Sequence, residues 1–167
     1  EKHEYTVFML HGLGGNSKFH KVDFTKGHPG YDPKQRVVLP QAGKMLVTAE
    51  PSLGKQNSWL NFKAWKNKLT SPKLWSKMNS DGDLAGRAIY LSSMIEQSTV
   101  NRIVHWYFKT INEEVCRLAK TSGKIDFSKI FIGGESQGCL TSIAALMRSD
   151  EFLPQPLGGV YGFIGVV

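Results

Sequence analysis

The segment Tyr5-Thr-Val-Phe-Met-Leu10 is an almost unbroken run of apolar, β-favouring residues, and it stops abruptly at His11-Gly12-Leu13-Gly14-Gly15. A strand that is apolar at successive positions leaves no side for water. Such strands belong to parallel sheets whose two faces are covered by helices. Further along, Arg36 to Leu39 reads as a second short strand closed by Pro40, and Ser128 to Gly133 as a third, carrying Ile130, Phe131 and Ile132. Leu157 to Val167 supplies a fourth. Between them, apolar residues recur at helical spacing in Asp83–Gln97 (Leu84, Ala88, Leu91, Ile95) and in Asn101–Lys120 (Ile103, Trp106, Tyr107, Ile111, Val115, Leu118). Gly123 follows the second as its stop signal, and Ser136–Met147 reads as a third helix. Gln41–Ser58 carries scattered Gly, Pro, Ser and Asn and reads as loop.

Strands alternating with helices define the fold class as α/β, a mainly parallel sheet with flanking helices. A chain of 167 residues is enough for one such domain with its own core. Its ligand site is expected beyond the carboxyl ends of the strands, where both glycine turns fall.

The second of those turns carries a specific demand. Gly134-Glu135-Ser136-Gln137-Gly138 has the pattern G-x-S-x-G between a β-branched strand and an Ala-rich helix. That placement suits a nucleophile elbow, a sharp turn that lifts a serine hydroxyl above the sheet, with glycines where the backbone packs closely. The first turn, His11 to Gly15, is the complementary element. A serine hydrolase needs backbone N–H groups aimed at the developing oxyanion. In this architecture one comes from the residue after the nucleophile, here Gln137, and one from the loop after the first strand, where Leu13 is the candidate. The plainer alternative is a tight turn between strand and helix, with His11 bonded to backbone.

These two elements, His11-Gly12-Leu13-Gly14 and Gly134 to Gly138, resemble the acyl-protein thioesterase and phospholipase-carboxylesterase family of α/β-hydrolases. Arg36-Val37-Val38-Leu39-Pro40, Val47-Thr48 and Ser58-Trp59-Leu60-Asn61 are similar to further landmarks of that family, and Leu157-Gly158-Gly159-Val160 to its next core strand. The resemblance runs from about Tyr5 to Val167 but covers only the front part of the family fold. It implies hydrolysis of esters or thioesters on lipidated proteins, lysophospholipids or small esters, with Ser136 as nucleophile. It also implies Gly12, Gly134 and Gly138 as the glycines of loop and elbow, and His11 and Trp59 as groove residues. No cofactor and no metal are expected. The chain departs from the family at Glu135, where an aromatic residue is usual, at Cys139, where a small one is, and at Asn61, where the family has an aspartate. The stretch from Trp59 to Ser128 is longer than usual.

The largest departure concerns the triad, which in this fold runs Ser, then Asp or Glu, then His. His3, His11, His20, His28 and His105 all precede Ser136, and Asp150 and Glu151 come too early, before the next strand. A serine without a base is a poor nucleophile, and His11 belongs to the oxyanion loop. Two readings stay open: an enzyme whose Asp and His lie in a continuation, or a non-catalytic, hydrolase-derived structural or binding subunit of a larger assembly. The start at Glu1 and the apolar end from Gly158 to Val167 lead us to expect a single domain over residues 1–167, incomplete at its C-terminus.

Charge narrows the partners. Twenty-one Lys and Arg against 14 Asp and Glu give +7. Lys63, Lys66, Lys68, Lys73 and Lys77 account for five of these in a stretch without any acid, so the cationic character is local and nucleic acid is not an expected partner. This lysine- and tryptophan-rich insertion (about residues 59–82) reads as peripheral membrane contact through Lys63–Lys77, a lid, or a solvated loop. No signal-like apolar run opens the chain, and no stretch of about 20 apolar residues occurs. A cytoplasmic setting is the expectation. Cys116 is expected in the core, and Cys139 as a packing residue rather than a second nucleophile.

Overall fold

The computed structural model describes residues 3–49, 51–63, 81–82 and 94–163. Most of the expected helix over Asp83–Gln97 lies outside the described residues; at its end Ile95 instead forms an antiparallel bridge with Phe62, and Gln97 begins the next helix. Most of the lysine-rich insertion, with its membrane, lid and loop readings, also lies outside them.

Four strands form one wholly parallel sheet: β1 (Tyr5–Leu10), β2 (Gln35–Val38), β5 (Ile130–Glu135) and β6 (Gly159–Phe163), in the order β2-β1-β5-β6. From β1 the chain steps one way to β2 and the other way to β5 and β6. The order therefore reverses at β1, which marks the crevice beyond the ends of β1 and β5 as the place where a ligand is received. Gly123 (φ 75°) ends the long helix α1 (Gln97–Ser122), its N–H bonding to Ala119 O at 2.8 Å. The shorter helix α2 (Gln137–Leu146) follows β5 directly. α1 begins four residues earlier than its apolar spacing suggests, because the Thr99 hydroxyl bonds back to the Glu96 carbonyl at 2.7 Å.

The core lies between the sheet and α1. Phe8, Leu10, Ile130 and Ile132 meet Val104, Tyr107, Phe108, Ile111 and Val115, all within one buried cluster. Phe8 and Tyr107 pack edge to face at 5.7 Å. A charged knot fastens helix to sheet: the Thr6 hydroxyl donates to buried Glu114 at 2.5 Å, and Arg117 and Arg36 flank the same carboxylate. On the other side of the sheet Tyr5, Val7 and Phe131 are only half-buried.

Two expectations are corrected. Gln41–Ser58 is not all loop, since β3 (Lys44–Leu46) and β4 (Lys55–Asn57) pair antiparallel as a small second sheet. Cys116 is exposed rather than in the core. It follows Val115 by one residue, and a helix turns about 100° per residue, which carries Cys116 off the buried stripe. Cys139 is buried as expected, and burial pushes its thiol up from the ordinary value.

Candidate active site

Ser136 stands between β5 and α2 with φ 48° and ψ −114°. It is the one residue other than glycine with positive φ among the described residues. A residue with a Cβ held in such a conformation costs on the order of 1–3 kcal/mol, so the surrounding structure must impose it. The imposing contacts are visible. A Cβ on Gly134 would lie 2.5 Å from the Leu10 carbonyl oxygen, and one on Gly138 would strike the same carbonyl. Only a glycine at each position lets β1 and the start of α2 close on the turn. The Ser136 N–H donates to Phe163 O at 3.0 Å, while its side chain has no hydrogen bond among the described residues.

The loop after β1 comes up beside this turn. A Cβ on Gly12 would sit 3.4 Å from Ser136 Cβ. The second sheet fixes that loop, because Gly14 N–H donates to Asn57 O at 2.9 Å and the Asn57 amide donates to Gly15 O at 2.8 Å. Among the described residues neither the Leu13 N–H nor the Gln137 N–H has a hydrogen-bond partner. Gln137 is the first residue of α2, where no intrahelical acceptor exists.

The Gln137 side chain, in contrast, is buried and fully used. Its carbonyl accepts from Trp59 N–H at 2.7 Å, and its amide donates to Leu60 O at 3.0 Å and to the Ser58 hydroxyl at 2.9 Å. It clamps the Ser58–Leu60 segment to the elbow, a role with no local sequence signal.

Of the two residues the resemblance implied for the groove, Trp59 borders a cavity of about 370 Å³ that it shares with Gly43, Arg102 and Trp106, and both it and His11 are themselves buried. His11 is 0% and Trp59 3% exposed. The His11 Nδ1–H donates to Gly12 O at 2.7 Å, and its Nε2 accepts from Ala42 N–H at 3.1 Å. The Trp59 indole donates to His11 O at 2.8 Å, with the rings 5.0 Å apart. Burial lowers the His11 pKa, and with both nitrogens engaged the ring has no lone pair to offer a serine.

Two departures find local compensation. The Asn61 amide donates to Glu96 at 2.7 Å and to the Thr48 hydroxyl at 2.9 Å, and its carbonyl accepts from Thr48 N–H. An aspartate at 61 would face Glu96 with like charge. Cys139 occupies the space left by Gly162, whose Cβ would collide with the sulfur.

Sequence reasoning passed over one cluster. The imidazole of His20, on the short 3-10 turn Phe19–Phe24, lies 3.1 Å from Asp23 and 3.2 Å from Glu135, the residue before Ser136. The i,i+3 spacing of His20 and Asp23 is visible in the sequence; the partner 115 positions away is not.

Solved structures resemble the chain in fold. Arabidopsis thaliana SOBER1 superposes with a TM-score of 0.60 at 20% identity, over 98% of this chain and 63% of that one. Two single-substitution variants of the same protein give 0.61 and 0.59 at 20% identity. The fold is that of the α/β-hydrolases. The chain spans about 63% of the length of that first structure. No protein-family model matches it, and no curated protein sequence does. Among the described residues no helix is long and apolar enough to cross a membrane, and no group of His, Cys, Asp and Glu is arranged to hold a metal ion.

Proposed function

We propose that this chain is the nucleophile-bearing part of a serine hydrolase that cleaves carboxylic esters or thioesters through an acyl-enzyme on Ser136. The observation that carries the reading is the conformation of Ser136. A residue with a Cβ is held at positive φ at the mouth of the sheet, its hydroxyl without a partner among the described residues, beside two backbone N–H groups that also have none among them. In this reading the Ser136 hydroxyl attacks the carbonyl carbon, and the N–H groups of Gln137 and Leu13 receive the negative charge that forms on the carbonyl oxygen. Collapse of that adduct breaks the acyl bond to the alcohol or thiol, which leaves with the proton first taken from the serine, and water then hydrolyses the acylated serine to the free acid.

The base that takes the serine proton, and the acid that orients it, come in this proposal from residues outside this sequence. His11 has both nitrogens committed, and no histidine follows Ser136. The substrates that fit are the acyl groups of lipidated proteins, lysophospholipids or small esters. That same missing histidine favours a second reading, a hydrolase-derived subunit that works by binding.

A fluorophosphonate probe, which phosphonylates an activated serine with loss of fluoride, separates the two. Labelling of the full-length protein that vanishes in Ser136→Ala supports the enzyme. Absence of labelling in folded full-length protein overturns it and leaves the binding subunit.

A further inference from the structure

Beside the elbow lies a cavity of about 400 Å³ that the ester chemistry above does not use. Met9, Phe24 and Phe163 give it apolar walls, while His20, Asp23 and Glu135 supply its polar groups. The polar groups are mismatched as they stand. The Asp23 carboxylate can only accept, so the hydrogen of the 3.1 Å contact sits on His20 Nδ1. In the neutral ring this turns the Nε2 lone pair toward a Glu135 oxygen 3.2 Å away. Nε2 has no hydrogen-bond partner, although His20 is only 8% exposed. A buried polar atom left in that state costs free energy that a ligand can recover.

What is missing is a donor. Two acceptors face each other (His20 Nε2 and a Glu135 oxygen), and an ammonium offers N–H donors and no lone pair. A hydroxyl brings one donor together with lone pairs of its own. A carboxylate or phosphate meets two like charges. The apolar walls suit a short methylene stem, and the volume lies within the usual range for a small-molecule site.

We infer that this cavity binds a primary alkylammonium group, its –NH3+ bridging His20 Nε2 and the Glu135 carboxylate and its stem lying on Met9, Phe24 and Phe163. Because Glu135 adjoins Ser136, the ester or thioester substrate carries that ammonium; this last clause rests on the hydrolase reading, and the binding site itself does not.

The test is a calorimetric titration of the full-length Ser136→Ala protein, in which no turnover occurs, with n-pentylammonium, pentan-1-ol and pentanoate. The expected result is binding of pentylammonium at least tenfold tighter than either control. Glu135→Gln, which keeps the shape of a half-exposed side chain, weakens it at least tenfold at unchanged circular dichroism. Equal binding of the alcohol, wild-type affinity in Glu135→Gln, or no binding because the imidazole is protonated and closes on Glu135 by itself, overturns the inference. Serine labelling is read separately on the wild type. A labelled Ser136 without ammonium binding removes the pocket and leaves the hydrolase; binding without labelling does the reverse.

Discussion

Gly12 and Ser136 face each other across the end of the sheet so closely that a Cβ on Gly12 would rest 3.4 Å from that of Ser136. That distance is ordinary van der Waals contact for one methyl group, and it leaves no space for a second carbon. Gly12→Ala is therefore expected to fold and to label with fluorophosphonate at a reduced rate. In Gly12→Val the γ carbons enter the space in front of the serine, and labelling should fall at least a hundredfold, with a change in melting temperature no larger than that of Gly12→Ala. Equal labelling of the valine variant and wild type would show that the probe reaches Ser136 from elsewhere.

Gly138 sits in the first turn of α2, where alanine normally improves a helix by about 1 kcal/mol over glycine. Here the new Cβ strikes the Leu10 carbonyl, a backbone atom of the central strand that cannot step aside. Overpacking of that kind costs roughly 1–3 kcal/mol, so the clash outweighs the propensity. Urea unfolding of Gly138→Ala should show a net loss of stability. A gain would mean that β1 and α2 are further apart than described.

The Gln137 side chain and the Gln137 N–H serve different ends, and one substitution separates them. Gln137→Leu keeps the backbone donor but leaves the Trp59 N–H unpaired in a buried place, while the Leu60 carbonyl keeps the Ser58 hydroxyl as donor. With an unpaired buried donor costing about 1–3 kcal/mol, the loss should lie in that range. Below its melting point the variant should still be labelled at Ser136. Wild-type stability in Gln137→Leu would show that the Ser58–Leu60 segment is held by something else.

How much of this was legible in the sequence follows from how local each cause is. Strand β5, the turn at Ser136 and helix α2 could be read because glycine spacing and an apolar run are properties of neighbouring residues. The second sheet could not. Lys44, Lys55 and Gln56 show no alternation, and the hairpin is held in place by bonds from Asn57 to Gly14 and Gly15, some 40 positions away. The contact of His20 with Glu135 spans a still longer stretch of sequence. The groove role of His11 comes from the resemblance alone; the bonds that fix it, from the Ala42 N–H to its ring and from the Trp59 indole to its carbonyl, come from residues 31 and 48 positions away.

His11 also carries a pH dependence whose sign is fixed by its surroundings. Its Nε2 accepts from the Ala42 N–H and lies 3.1 Å from the Gln41 amide nitrogen, so a proton there would confront donors in a fully buried site. Burial, the dominant cause, lowers the folded pKa below the ordinary value of about 6.5. The unfolded chain then binds the proton first as acid is added. The stabilising contribution of neutral His11 is complete above pH about 6.5 and is lost as pH falls toward the folded pKa, with a slope of up to about 1.4 kcal/mol per pH unit. Urea midpoints measured from pH 7.5 down to 5.0 should fall accordingly. His11→Asn, which has no group titrating in this range, should fall less steeply over the same interval. An imidazole signal for His11 that titrates at its ordinary value in the folded protein would contradict the burial and the two-sided bonding together.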